Sequence, residues 1–267
     1  MTDLPGRPLD ALVARLRSLT PARVGLGRTG ASLPTQEVLK FQMAHAMARD
    51  AVHVPLDARA LEARIAALGV RVAAVQSAAL RRDLYLSRPD LGRKLESGSA
   101  DRLDELRGDG FDVAIIVGDG LSSRAVDSNA VPLLTSLLPK FAQTGLALAP
   151  IVIAEGARVA LGDEIGERLG ARLAVMLIGE RPGLSSPDSL GAYITYAPQV
   201  GRMDSERNCL SNIRTGGLAA ELASAKIAWL VAASFRAGLS GVRLKDESDA
   251  DALPAQSQTT IGNERQQ

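Results

Sequence analysis

Aromatic residues make up only 3% of this sequence: one Trp, three Tyr and four Phe among 267 residues. Its core must therefore be built from Ala, Leu, Val and Ile, and the scarcity argues against aromatic platforms for stacked bases. There is a single cysteine, Cys209. It excludes an intrachain disulfide and any multi-cysteine zinc site. With only two histidines, the chain has little material for a His-rich metal site or a Ser/His/Asp hydrolase. A net charge of +1 lacks the concentrated positive field that a nucleic-acid footprint needs. No apolar run approaches the roughly 20 residues of a bilayer-spanning helix. Met1-Thr-Asp-Leu-Pro5 lacks the basic and then apolar stretches of a secretory signal. The expectation is an intracellular protein with no nucleic-acid and no membrane partner.

Hydrophobic content of 46% is enough for a full core. The most informative stretch is Leu173–Ile178, six apolar residues in a row, followed by Gly179-Glu-Arg-Pro-Gly183. So short and uniform a run predicts a strand buried on both faces. Pro182 and the two glycines end it in a sharp turn. In an open parallel sheet, that end of a strand is where ligands bind, so Glu180 is expected to face one.

The stretch before about residue 107 reads as mostly helical. Leu9, Leu12, Val13 and Leu16 recur at helical spacing over Pro8–Ser18. Thr35 is an expected N-cap for a helix to about Val52, with Val38, Leu39, Ala46 and Met47 on one side. Asp57 caps a further helix that Gly69 closes. Val70–Val75 is a candidate first strand, and a helical segment is expected from Ser87–Asp90 to Leu106. The character then changes. Asp112–Val117 and Ile151–Ala154 read as buried strands like Leu173–Ile178. Helices from about Leu121 to Thr144 and from Gly162 to Leu169 lie between them. Strand, helix, strand, helix, strand is the sign of a doubly wound, mostly parallel α/β sheet. Ala192–Tyr196 is expected as an edge strand and Arg202–Ile213 as a polar loop. Leu218–Arg236 is expected as a helix with Leu222, Ala225, Ile227, Leu230 and Val231 inward. The resulting division is a helical region over 1–107, an α/β domain over 108–245 and a disordered tail over 246–267.

Three strands end in glycine-bearing polar loops: Gly118-Asp-Gly120, Glu155-Gly-Ala-Arg-Val159 and Gly179–Gly183. Right-handed crossovers place all three on one edge of the sheet, where they line a common crevice. Equally, βα loops use glycine simply to turn. Gly118-Asp-Gly-Leu-Ser-Ser lacks the third glycine of a dinucleotide fingerprint, and no phosphate loop or G-x-S-x-G elbow occurs. Cys209 lies among Ser205-Glu-Arg-Asn and Leu-Ser-Asn212. That setting suits either a thiol at a ligand or a small buried apolar group. A stand-alone small-molecule-binding or regulatory module remains an alternative at this level.

Taken together, Arg88-Pro-Asp-Leu-Gly-Arg93, Val117-Gly-Asp-Gly-Leu-Ser122, Gly179-Glu-Arg-Pro-Gly-Leu184 and Arg207-Asn-Cys-Leu-Ser-Asn-Ile213 resemble the small (light) subunit of ethanolamine ammonia-lyase, from about Arg23 to Asp246. The resemblance implies a Rossmann-like domain with an N-terminal helical region. It also implies a share in a carbon–nitrogen lyase that converts ethanolamine to acetaldehyde and ammonia with adenosylcobalamin. The partner it implies is a large subunit, a TIM barrel that holds the substrate, in a hetero-oligomer with cobalamin between the two chains. Carried over residue by residue, the cobalamin contacts fall on Val159, Glu180 and Cys209, none with a proton-transfer or nucleophilic role. Asp50-Ala-Val-His53 and His45-Ala-Met-Ala48 both lack the Asp-x-His-x-x-Gly pattern. The cofactor is therefore expected to keep its own benzimidazole on cobalt (base-on). Some relatives carry a longer N-terminal extension that directs them into a bacterial microcompartment. This chain shows only a short helix before the shared region, so cytoplasmic residence is expected, and encapsulation would ride on the large subunit.

Overall fold

A computed structural model gives the architecture, described for residues 8–20 and 22–249. The elements are α1 (Pro8–Leu19), α2 (Thr35–His53), α3 (Ala58–Ala66), β1 (Val72–Gln76), α4 (Arg82–Ser87), α5 (Ser97–Glu105), β2 (Val113–Gly118), α6 (Ser123–Thr144), β3 (Ile151–Glu155), α7 (Leu161–Leu169), β4 (Leu173–Gly179), β5 (Leu190–Tyr196), β6 (Arg207–Ile213) and α8 (Ala220–Ala237). Every residue of β2 and β4 is buried, as their unbroken apolar runs require.

The six strands form one sheet in the order β1-β3-β2-β4-β5-β6. The first four are parallel, with Ile115 opposite Val175 and Val75 opposite Ala154. β5 and β6 return antiparallel, with Met176 opposite Tyr193 and Tyr193 opposite Cys209. One face packs on α3, α6 and α8 through Ile115, Val117, Val175, Leu134 and Ile227. The other packs on α5 and α7 through Ile116, Val152, Met176, Leu103 and Ile165. The fold is thus mixed α/β with a mostly parallel sheet. Among the described residues no helix is long and apolar enough to cross a membrane.

β1 comes from the stretch before residue 108 and supplies one edge of the sheet. Its outer backbone is occupied. Arg102 donates to the Ala74 carbonyl at 3.0 Å, Gln76 N–H donates to Ser99 Oγ at 2.9 Å, and Glu96 N–H donates to the Gln76 carbonyl at 3.0 Å.

Several expectations are corrected. The segment Ser87–Leu106 is not one helix: it breaks into α4, a 3-10 turn at Leu91–Arg93, and α5. Pro89 disfavours helical backbone at Arg88, and Gly92 lies so close under Arg158 and the Gly156 carbonyl that an added Cβ would sit 2.8–2.9 Å from them. The N-cap of α2 is Pro34, without a side-chain bond, whereas Asp57 caps α3 as expected by accepting from Ala60 N–H at 2.9 Å. Polar residues made Arg207–Ile213 read as loop, yet it is the edge strand β6, and β5 lies inside the sheet. An edge strand with one solvated face carries polar residues at alternate positions, here Cys209 and Ser211, while Leu210 turns inward. In α8, Leu222 and Ala225 are exposed, and Ala223 and Ser224 take the inner positions. In α2 the large apolar residues face outward: Leu39 is 58% and Met43 64% exposed. The expected tail falls mostly on 250–267, outside the described residues. Its first residues hold Lys226, which donates to Asp249 at 2.7 Å and Ser248 at 2.9 Å.

Candidate functional site

The three glycine-bearing loops converge at the C-terminal edge of the parallel strands. Asp119 Oδ1 accepts from Ala157 N–H at 2.9 Å, joining the β2 and β3 loops. Leu121 N–H donates to the Gly179 carbonyl at 2.9 Å, joining the β2 and β4 loops. The approach is so close that a Cβ on Gly120 would lie 2.1 Å from the Gly179 oxygen, and the residue sits at φ +58. α6 leaves β2 on one face and α7 leaves β3 on the other, so a switch point lies between them. There Asp119, Glu155, Arg82 and Tyr85 line a crevice of about 160 Å³. Burial pushes the Asp119 and Glu155 carboxyls above their usual range.

Glu180 does not point into that crevice. It turns across the sheet toward β5 and β6. Ser189 Oγ donates to its Oε2 at 2.5 Å, Ser211 Oγ donates to Oε1 at 2.5 Å, and Asn212 N–H donates to Oε2 at 3.2 Å. Two of these donors come from a β-bulge. Leu190 pairs with Ile213 and Ala192 with Leu210, so Ser211 and Asn212 together oppose Gly191. Asn212 accommodates the kink at φ 61, in the left-handed region that asparagine tolerates. Gly191 lies under the carboxylate, where a Cβ would be 3.0 Å from Glu180 Oε1.

Cys209 is exposed on the same face as Ser211, two residues along β6. Tyr193 stands directly opposite Cys209 in the β5–β6 pair. Partial desolvation raises the Cys209 pKa, the Tyr193 hydroxyl lowers it, and the negative charge of Glu180 raises it further. The Tyr193 hydroxyl is pushed well above its ordinary value by burial, then by Cys209 and Glu180.

Val159 lies just before α7 and packs, with Tyr193, against the apolar layer on this side of the sheet. It lines a groove of about 590 Å³ with Arg93, Lys94, Arg158 and Arg207. Arg207, two residues before Cys209, is 2% exposed and donates to Asp163 of α7, which is equally buried. The structure therefore sets Glu180 and Cys209 side by side, and Val159 follows on the same side of the sheet across Tyr193 and Arg207. α5 and α7 pack on β1, β2 and β4, and α8 on the opposite face of β5 and β6. Gly191, Tyr193, Cys209 and Ser211 thus form a shallow ledge walled by the start of α7. Sequence reasoning missed Ser189, Gly191, Tyr193, Ser211 and Asn212. For Ser211 and Asn212 the one signal was their place in the polar string after Arg207, which says nothing of a strand. Among the described residues no group of three or more His, Cys, Asp and Glu is placed to hold a metal ion.

A family profile described as ethanolamine ammonia-lyase light chain matches residues 10–245. The chain is 54% identical to the ethanolamine ammonia-lyase small subunit of Rhodopseudomonas palustris (strain BisA53) over 240 residues, 90% of this chain and 92% of that one. It is 53% identical to the protein of the same name from Bradyrhizobium diazoefficiens, over 97% of each chain. To the Azotobacter vinelandii protein of that name it is 53% identical over 90% of each.

Proposed function

The chain belongs to the ethanolamine ammonia-lyase light-chain family, and on that premise we propose that it is the cobalamin-gripping small subunit of a two-chain carbon–nitrogen lyase. In this reading its α/β domain is Rossmann-like. It binds adenosylcobalamin at the interface with a large subunit, and the pair converts ethanolamine to acetaldehyde and ammonia. The radical chemistry comes with the cofactor, and the chain supplies position and a closed environment.

The observation that carries the reading is Glu180, fixed by donors from Ser189 and from the β6 bulge beside an exposed thiol on an unroofed face. The residues suit the group. A broad, amide-fringed macrocycle needs a flat surface, and Gly191, buried beneath Glu180 and Tyr193, lets both side chains lie close to the sheet. Glu180 Oε1, which accepts only from Ser211, retains acceptor capacity for an amide N–H or hydroxyl of the cofactor. Val159 offers apolar contact, Cys209 permits close approach, and Arg93, Lys94 and Arg158 line positive ground suited to the phosphodiester tail. His45 and His53 belong to α2 and neither is on the ledge, in keeping with a base-on cofactor.

The chain is tested by co-expression with a large subunit. Deamination is expected only with both chains and adenosylcobalamin, and equal activity from either chain alone sinks the proposal. Glu180→Gln should weaken cobalamin binding about tenfold, the loss of one charge-assisted hydrogen bond of ~1.5 kcal/mol. Turnover at saturating cofactor should stay within about twofold, since the role is in binding. An unchanged affinity with collapsed turnover would show the assignment to be wrong. Electron paramagnetic resonance of the holoenzyme should show axial nitrogen coupling from benzimidazole, and coupling from a protein imidazole refutes the base-on expectation.

A further inference from the structure

α2 is built inside out. Its inward stripe is Glu37, Ala44, Ala48 and Ala51, and only Ala51 is buried. Val38, Leu39, Phe41, Met43 and Met47 face solvent, together with Leu12, Leu16 and Leu19 of α1 and Leu33 between the helices. Nine of the sixteen large apolar side chains exposed among the described residues thus lie between residues 12 and 47. So concentrated an apolar patch marks an interaction surface. Leu39, Met43 and Met47, one turn apart, also wall a groove of about 620 Å³ whose far side is Leu184 and Pro187. That far side is the loop that begins at Glu180. The groove and the ledge are therefore two sides of one loop.

We propose that the α1–α2 arm is the docking surface for the large subunit, which fills the Leu39–Met43–Met47 groove with apolar side chains and rims it with carboxylates. The inference rests on the two-chain reading above. Charge separates this occupant from a second copy of the chain. Residues 11–50 hold six cations (Arg15, Arg17, Arg23, Arg28, Lys40 and Arg49) against Glu37 and Asp50, or +4 in a chain of net charge +1. Two such arms face to face repel, whereas an acidic rim on a different chain is attracted. Methionine on an exposed helix suits the purpose, because its flexible thioether conforms to a partner's surface. Docking there orders the Glu180 loop from behind, so assembly and cofactor binding are coupled.

The test uses the full chain and its large subunit. Met43→Asp with Met47→Asp, both at exposed positions, should leave the circular dichroism and urea midpoint of the isolated chain unchanged and weaken assembly at least tenfold by light scattering. An assembly constant within twofold of wild type overturns the inference. So does a wild-type chain that dimerises alone and becomes monomeric on substitution, because the occupant is then a second copy. Footprinting of the unsubstituted proteins gives an independent reading: peroxide oxidation of Met43 and Met47 should slow at least fivefold in the complex, and equal rates refute it. The cobalamin reading fails separately. If the wild-type pair assembles and Met43 and Met47 are protected, yet cofactor affinity ignores Glu180→Gln, the cobalamin reading falls and the docking surface stands.

Discussion

Glu180, Tyr193 and Cys209 form one electrostatic unit, and the thiol reports on it. Partial desolvation holds the Cys209 pKa above the ordinary thiol value, the Tyr193 hydroxyl acts in the opposite direction, and the Glu180 carboxylate adds a smaller upward push. Alkylation by iodoacetamide proceeds through the thiolate. Its pH–rate curve for Cys209 should therefore lie to the alkaline side of free cysteine, whose midpoint is about 8.5. Glu180→Gln should move the curve back to lower pH by removing a negative charge, and Tyr193→Phe should move it higher by removing a donor to the thiolate. A curve indifferent to Glu180→Gln means that the carboxylate is not close enough to act. The place of Glu180 at the end of a strand was legible because it follows an unmistakable apolar run, whereas the polar string around Cys209 left its setting open. Ser189 was not legible, because its contact exists only once the register of the β4–β5 pair is set. Asn212 was hidden for a similar reason: a bulge is a mismatch between two strands and leaves no mark on either alone.

At the scale of elements, legibility followed burial. β2, β3 and β4 announce themselves because strands buried on both faces carry unbroken apolar runs, ending in β3 only at Glu155. β6 did not, since only Arg207, Leu210 and Ile213 of its seven residues are buried, and the first of these is charged. Beyond the ladder to β5, that arginine fastens β6 to the helix layer. Its bond to Asp163 is buried at both ends and ties the edge strand to α7, so Val159 and Cys209 are held in a common frame. Asp163→Asn removes the buried one of the two carboxylates on Arg207 and leaves it only the exposed Asp204, at 3.0 Å, which should cost about 3 kcal/mol in urea unfolding. Replacing both partners, Arg207→Met with Asp163→Leu, should recover much of that loss, because the desolvated charge is gone as well. A single substitution costing under ~1 kcal/mol would mean that the pair does not bind the strand to the helix. For α1 and α2, apolar spacing told which residues share a side, not whether that side meets the chain's own core.

For the molecule as a whole, strand order was the hardest feature to foresee. Alternating strands and helices imply a parallel sheet. The first strand was expected at Val70–Val75, within an otherwise helical stretch, and β1 lies there, but nothing in the spacing says that β3 inserts between β1 and β2. The finished structure has two tiers of stability. The sheet has apolar layers on both faces, whereas the α1–α2 arm leaves large side chains in water, each forgoing about 1.5–3 kcal/mol of burial. The arm is anchored near its end, where Ala51 is buried and Arg82 Nε donates to the Val52 carbonyl at 2.7 Å. Hydrogen exchange of the isolated chain should show amides of residues 11–48 opening far below the global unfolding free energy, and those of β2 and β4 only with it. Arm amides as slow as those of β4 would contradict this picture.

Both margins of the sheet have consequences for aggregation. On β1 the outward backbone groups are taken by Arg102, Ser99 and Glu96, and on β6 the paired residues Ser211 and Asn212 throw the last stretch out of line. Neither margin offers a straight row of free amides for a stranger's strand to zip onto. A chain so protected can be made in quantity, and can wait for its companion, without polymerising into cross-β fibres.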